Sequence, residues 1–387
     1  MRYELTSPTW GDEELEAIAD VVKSGSFTMG PRVLEFERRF AERFGMKYAV
    51  MTNSGSSANL IAVASLFYRK DRPLKRGDEV IVPCISWATT FHPLQQYGLR
   101  LKFVDIDLRT LNMDVRELKR AVTDRTRMVV AVSILGNPCA LDEIAALCRE
   151  RDIILFEDNC ESLGARLGGR YTGTFGQVNT FSTFYSHHIS TMEGGLVLTD
   201  DKELFNLLKA MRNHGLTRGQ DDDSPIYTRR DDDFYEAYRF ILPGYNVRPG
   251  EIHAAVGIRQ LGKLDGFLDV RRTNAAHFTG LFRDDKRFIL QQENGESSWF
   301  CFTMIVDPAS GIDRKVVLLR LKEAGIEYRI ITGGNLLRHD VIKYYDHEVT
   351  GSANADLAHD NGFFVGNSPH DIRDRIDHLH ATLSDLS

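Results

Sequence analysis

Three stretches of the chain concentrate residue types that do chemistry. The first is Thr52-Asn53-Ser54-Gly55-Ser56-Ser57-Ala58-Asn59, between a β-rich run and a helical one. Backbone N–H groups at a helix start, ringed by small hydroxyl residues, make an anion site suited to a phosphate ester. The same residues also serve as an ordinary Ser-rich helix cap. The second is Ile153-Ile154-Leu155-Phe156-Glu157-Asp158, an apolar strand ending in two acids. That end is the carboxyl edge of a sheet, where open α/β proteins bind ligands. An Asp there either caps the next turn or holds a heteroaromatic nitrogen protonated, the state in which pyridoxal phosphate acts as an electron sink. The third stretch runs from 181 to 195 and carries Ser182, the adjacent His187 and His188, and Glu193-Gly194-Gly195. Imidazole moves protons near neutrality. A metal is not expected: adjacent histidines rarely point the same way, and no H-E-x-x-H or third ligand is close by.

These stretches need a framework that brings them to one edge. Residues 11–23 place Leu15, Ile18, Val21 and Val22 at helical spacing, and Pro31 opens a second helix with Val33, Phe36, Phe40 and Phe44 on one face. From about 46 to 200, β-rich runs at 48–51, 80–82, 101–104, 128–133, 153–156, 179–182 and 196–199 alternate with helical stretches near 57–69, 88–97, 114–123 and 140–150. That alternation predicts a mostly parallel sheet covered on both faces. His187 falls on the irregular loop between the last two strands. Residues 216–238, with acid runs at 221–223 and 231–233, read as an exposed excursion or lid. After the break at Leu242-Pro243-Gly244-Tyr245, Pro249 opens a long helix to about 283. Strands at 299–306 and 328–330 and helices near 313–324 and 370–384 predict a smaller α+β unit. The expected division is a large α/β domain over 1–250, then a linking helix and a small C-terminal domain over 251–387.

A length of 387 residues suits one large domain or two ordinary ones, and 42% apolar with 27% charged residues excludes a disordered or collagen-like chain. Forty-eight Lys plus Arg against 55 Asp plus Glu, a net charge of −7, argues against nucleic acid as a partner. The first residues carry acids where a signal peptide needs an apolar core, and no apolar run approaches the ~18 residues of a membrane span. The expectation is a cytoplasmic protein with no membrane partner. Cys84, Cys139, Cys148, Cys160 and Cys301 are odd in number and lack a C-x-x-C pair, so they read as reduced thiols.

The segments from Ser54 to Leu60, Glu157 to Ala165, Tyr185 to Gly195 and Gly244 to Pro249 together resemble the DegT/DnrJ/StrS sugar aminotransferase family, which acts on nucleotide-linked keto sugars. The resemblance spans nearly the whole chain. It implies the aspartate aminotransferase-like fold (fold type I), with a mostly parallel sheet in the large domain, and pyridoxal 5'-phosphate or pyridoxamine 5'-phosphate as cofactor.

One position departs from the family. The lysine that binds the cofactor covalently lies six residues before the Glu of Glu-Gly-Gly; here that position is His187, and no lysine occurs between Asp158 and Lys202. Imidazole has no primary amine, so the cofactor must be held non-covalently. Together with Phe27-Thr28-Met29-Gly30-Pro31, Ser86-Trp87-Ala88-Thr89-Thr90 and Gly295-Glu296-Ser297-Ser298-Trp299-Phe300, the His187 motif is similar to the family's 3-dehydratases of GDP-4-keto-6-deoxy-D-mannose. The resemblance then implies a lyase that uses L-glutamate to aminate the cofactor, with His187 as acid and base. It implies a homodimer with shared active sites, and neither a reductase partner nor an iron–sulfur cluster, whose four close thiolates the scattered cysteines do not supply. The implied roles are as follows. Gly55, Ser56 and Ser182 hold the phosphate, Trp87 stacks on the ring, and Asp158 pairs with the ring nitrogen. Glu161, where relatives carry Gln, lies toward the ring hydroxyl. Asn246 reaches the phosphate of a neighbouring subunit, Arg218 and Arg248 take glutamate carboxylates, and His214 faces the substrate. Two other readings stand beside this one: a 4-aminotransferase with an unusual base, and a non-catalytic binding protein on the same scaffold.

Overall fold

Runs rich in Val, Ile and Leu, apolar at successive positions rather than alternating, form strands buried on both faces. In the computed structural model, which describes residues 1–386, they build an eight-stranded sheet. Its order is Tyr48–Thr52, Gly195–Thr199, Val178–Ser182, Ile154–Asp158, Thr126–Val132, Glu79–Pro83, Arg100–Val104 and His347–Val349. The strands from Val178–Ser182 onward pair in parallel, and Gly195–Thr199 runs antiparallel to both its neighbours. Register then does the positioning. Thr52 and Ser182 each pair with Gly195, and Asp158 pairs with Thr180, so the three chemical stretches meet at one sheet edge.

Helix Glu251–Phe282, 32 residues long, spans about 48 Å and ties the two cores together. Its first half packs on helices Asp12–Ser24 and Pro31–Phe44, and its second half on Arg373–Ser384. Gly257 allows the first crossing, since a Cβ there would lie 2.7 Å from the Phe36 ring. The smaller sheet is antiparallel throughout, in the order Phe288–Leu290, Cys301–Val306, Gly362–Gly366, Tyr328–Arg329.

The expected strands and helices from 12 to 200 form with shifts of a few residues at their ends. The structure adds helices Lys202–Arg212 and Ala353–Asn361 and strands His347–Val349 and Gly362–Gly366; the first helix places Leu204, Leu207, Leu208 and Met211 at helical spacing, and the others carry no strong periodicity. The small sheet is built around Gly362–Gly366. His347–Val349 returns to the edge of the large sheet, and Tyr3 is buried in the small core with its hydroxyl on Gly366 O at 2.6 Å. The chain therefore crosses between the two units on both sides of residue 250. The excursion at 216–238 is anchored by its acids, with Asp221 on Lys209 at 2.9 Å and Asp223 on Lys202.

Candidate active site

Ser54 caps helix Gly55–Leu66, its hydroxyl accepting from Ser57 N at 3.1 Å, and Thr52 Oγ1 donates to Ser54 O at 2.9 Å. The N–H groups of Gly55 and Ser56 open the helix and have no acceptor within it. Two glycines keep the cup tight. A Cβ on Gly55 would fall 2.6 Å from Ser182 Cβ, and one on Gly195 would fall 2.4 Å from Ser54 O. Ser182 Oγ accepts from Phe184 N at 3.2 Å, which leaves its own O–H to donate elsewhere. Gly55 and Ser182 thus sit side by side at the helix start, beside the open N–H groups of Gly55 and Ser56, while the Ser56 hydroxyl donates to Thr89 Oγ1 at 3.1 Å.

Asp158 ends its strand 4% exposed and is clamped from three sides. Oδ2 accepts from Asn59 Nδ2 at 2.9 Å and Thr90 Oγ1 at 2.7 Å, and Oδ1 from Cys160 N at 3.2 Å. Asn59 is itself fixed, because Thr180 Oγ1 donates to its Oδ1 at 2.6 Å. Sequence reasoning missed Asn59, Thr90 and Thr180. A signal for the first existed: Asn59 lies four residues after Gly55 and so on the same helix face. Asn59→Ala is expected to strand the Asp158 and Thr180 hydrogen-bonding groups and cost about 1–3 kcal/mol in urea unfolding.

His187 is half-buried, between Phe300 (ring centroids 5.1 Å apart, 70° between planes) and Phe184 (6.1 Å, 85°). Its Nδ1 lies 2.6 Å from Cys160 O. A carbonyl only accepts, so Nδ1 carries the proton and Nε2 keeps its lone pair, with no hydrogen-bond partner among the described residues. Burial pushes the imidazolium down to about 4, with the Arg271 charge adding to the effect. At neutral pH His187 is therefore an unprotonated base. His188 turns the other way, fully buried, with Nε2 on Ser298 O at 3.1 Å.

Glu161 accepts from Leu135 N at 2.9 Å and Thr332 Oγ1 at 3.3 Å. Burial, with the Asp158 charge beside it, pushes its carboxyl up to about 7. The unfolded chain ionises first, near 4.5, so stability falls as pH rises through this window and levels off above 7. Glu161→Gln keeps an acceptor for Leu135 N and does not titrate. Urea unfolding at pH 5 and pH 8 should show the variant gaining up to about 3 kcal/mol on the wild type at the higher pH; parallel behaviour at both would refute the shift.

Trp87 stands 59% exposed at the start of helix Ala88–Gln96, free of the core. The remaining expected residues are not drawn into this cluster within one chain. Arg248 Nε donates to Asn246 Oδ1 at 3.0 Å and both are exposed; Arg218 lies over the Tyr238 ring at 4.9 Å; His214 is exposed at φ +57. Among the described residues, none of the four bonds to His187, Asp158 or Glu161, and no three His, Cys, Asp or Glu side chains converge on a metal position. The segment carrying Asn246 does touch the anion loop, through Asn53 N to Val247 O at 3.1 Å.

The arrangement offers an anion cup, a buried carboxylate for a ring nitrogen, an exposed indole and an unprotonated imidazole at one sheet edge. Known proteins resemble the chain over nearly its whole length. The pattern of the DegT/DnrJ/EryC1/StrS aminotransferase family matches residues 8–383. The GDP-4-keto-6-deoxy-D-mannose 3-dehydratase of Escherichia coli O55:H7 is 51% identical over 386 residues, covering 99% of this chain and all of that protein. A solved GDP-4-keto-6-deoxymannose-3-dehydratase with a trapped PLP–glutamate geminal diamine superimposes with a TM-score of 0.97 at 51% identity, over 99% of this chain and 100% of that one. A histidine-to-asparagine variant with bound GDP-perosamine gives the same TM-score of 0.97, identity and coverage.

Proposed function

Because the chain belongs to the DegT/DnrJ/EryC1/StrS aminotransferase family, we propose that it is a hydro-lyase dependent on pyridoxal and pyridoxamine phosphate. It removes the C3 hydroxyl of GDP-4-keto-6-deoxy-D-mannose, with L-glutamate as amino donor. The products are GDP-4-keto-3,6-dideoxymannose, 2-oxoglutarate and ammonia. The observation that carries this reading is His187, a neutral imidazole at the family's lysine position with Nε2 free.

The residues present fit the cofactor. Gly55 leaves the space a side chain would fill, Ser56 and Ser182 bring hydroxyls to the phosphate cup, Trp87 offers an open aromatic face, and the clamped Asp158 supplies a carboxylate for the ring nitrogen. Bound there, the protonated pyridine ring supplies an electron sink for breaking the C3–O bond beside C4. In the glutamate half-reaction His187 Nε2 would deliver the donor's proton to the cofactor's C4′ carbon; in the sugar half-reaction it would remove a proton there and, as imidazolium, pass it to the departing C3 hydroxyl. Glu161, protonated up to about pH 7, donates or accepts at the ring hydroxyl. Arg218 and Arg248 take glutamate carboxylates, and His214 faces the sugar nucleotide.

Asn246 and Arg248 form an exposed pair with no partner in their own cluster, which supports a homodimer in which they complete the neighbouring site. No helix among the described residues is long and apolar enough to cross a membrane, and the five cysteines are free. We place the enzyme in the cytoplasm and give it no reductase partner.

The test is incubation with pyridoxal phosphate, L-glutamate and GDP-4-keto-6-deoxy-D-mannose, followed by mass spectrometry and an ammonia assay. Loss of one oxygen with ammonia release is expected. A 4-amino sugar without ammonia would instead identify an aminotransferase. Gly55→Ala should weaken cofactor binding about 10- to 100-fold, read by absorbance titration, because the added methyl displaces Ser182 from the cup.

A further inference from the structure

Ser298, Trp299 and Phe300 present three consecutive carbonyls, and buried side chains take all three. His188 Nε2 donates to Ser298 O at 3.1 Å. Arg271 Nη1 donates to Trp299 O at 3.4 Å and Phe300 O at 3.2 Å, and Asn367 Nδ2 to Trp299 O at 2.8 Å. From the other side, Ser298 N and Phe300 N donate to Gly136 O and Leu135 O at 2.9 and 3.1 Å. Leu135 in turn donates its own N–H to Glu161. Trp299 sits at φ +47, a left-handed conformation that costs a non-glycine residue about 1–3 kcal/mol and persists only where its surroundings over-determine it. Gly136 is part of that surround, since a Cβ there would lie 2.7 Å from Trp299 N.

Two features of this strap are costly. Arg271 is 3% exposed and, among the described residues, faces no carboxylate; its charge rests on carbonyls, and its Nε has no partner. His188 spends one ring nitrogen on Ser298 and leaves Nδ1 buried without a partner among the described residues. What the strap delivers is Phe300, whose ring stands against both His187 (5.1 Å) and His188 (5.6 Å).

We propose that His188 and Arg271 are positioning residues: they hold the Ser298–Phe300 strap so that Phe300 keeps the His187 ring with Nδ1–H on Cys160 O and Nε2 open to the cleft. His188 is then not a second acid or base. The inference rests on reading His187 as the acid/base, so its test separates the two.

The variants are His188→Phe, which keeps a ring and loses the donor, and His188→Gln, whose amide reaches about as far as Nε2. In the holoenzyme, His188→Phe should lower kcat at least about tenfold while glutamate KM and cofactor Kd stay within about threefold, and His188→Gln should recover most of the loss. Holoenzyme labelled with 15N-histidine supplies a readout besides turnover. Wild-type His187, assigned by its disappearance in His187→Asn, should show a protonated Nδ1 and an unprotonated Nε2, and His188→Phe should show mixed tautomers. A fixed His187 tautomer or a wild-type kcat in His188→Phe overturns the strap proposal. If His188→Phe does not fold, Arg271→Met, which keeps most of the stem and loses both donated hydrogen bonds, decides by the same two readouts. Wild-type turnover by His187→Asn would sink the acid/base reading instead, while the tautomer spectra still report on the strap.

Discussion

His187→Asn is expected to lose about 10²–10⁴-fold in kcat while keeping its cofactor. The asparagine amide can donate to Cys160 O where Nδ1–H did, so the loop keeps its anchor. What disappears is a nitrogen able to take a proton near neutrality. None of the proposed cofactor contacts at Gly55, Ser56, Asp158 or Ser182 passes through this side chain, so Kd by absorbance titration should move little. The wild-type pH profile adds a second check. With the imidazolium pushed down to about 4, the neutral base persists well below pH 6, and an acid limb due to His187 in the free enzyme belongs near 4 rather than near 6.5. Turnover by the variant within about threefold of wild type would remove His187 as the essential base.

Asp158→Asn should cost about 10²-fold in turnover and also weaken cofactor binding, since a hydrogen bond to a charged group contributes about 1.5–3 kcal/mol. The clamp decides which amide atom goes where. Oδ2 receives two donors, Asn59 Nδ2 and Thr90 Oγ1, so the amide oxygen must occupy that place. The NH2 then falls at the Oδ1 position, against the Cys160 N–H that Oδ1 accepted from. An NH2 there cannot accept a hydrogen bond from the ring N–H, so the protonated ring is no longer favoured. Stopped-flow absorbance of the glutamate half-reaction and cofactor titration would measure the two losses. An unchanged half-reaction would contradict the pairing.

Several things were readable from residue order alone. Apolar runs separated by helices announced the parallel sheet, because a buried strand must be apolar on both faces. Glycine, serine and aspartate at strand ends announced the edge where ligands bind. The substitution of His187 for lysine needed no structure at all, since an imidazole lacks the amine for a covalent link wherever it sits. The strands His347–Val349 and Gly362–Gly366 escaped notice for a physical reason. One is short and polar, the other bounded by glycines, and both are held by backbone pairing to strands far away, which leaves no period in the side chains. The excursion at 216–238 is largely exposed, as its acid runs announced, and only the structure shows Asp221 and Asp223 paired with lysines of helix Lys202–Arg212.

The protonation states were a matter for the tertiary structure. The sequence by itself determined which titratable groups are present: an imidazole at 187, carboxyls at 158 and 161, and hydroxyls at 56 and 182. Their charge and aim depend on partners brought from far along the chain. Asn59 reaches Asp158 across 99 residues, Thr332 reaches Glu161 across 171, and His188 reaches Ser298 across 110. Burial raises Glu161 and lowers His187, and one carbonyl, Cys160 O, selects the His187 tautomer. Desolvation and hydrogen-bond geometry are properties of neighbours in space, so residue order could name the proton carriers and only folding could decide which of them hold a proton.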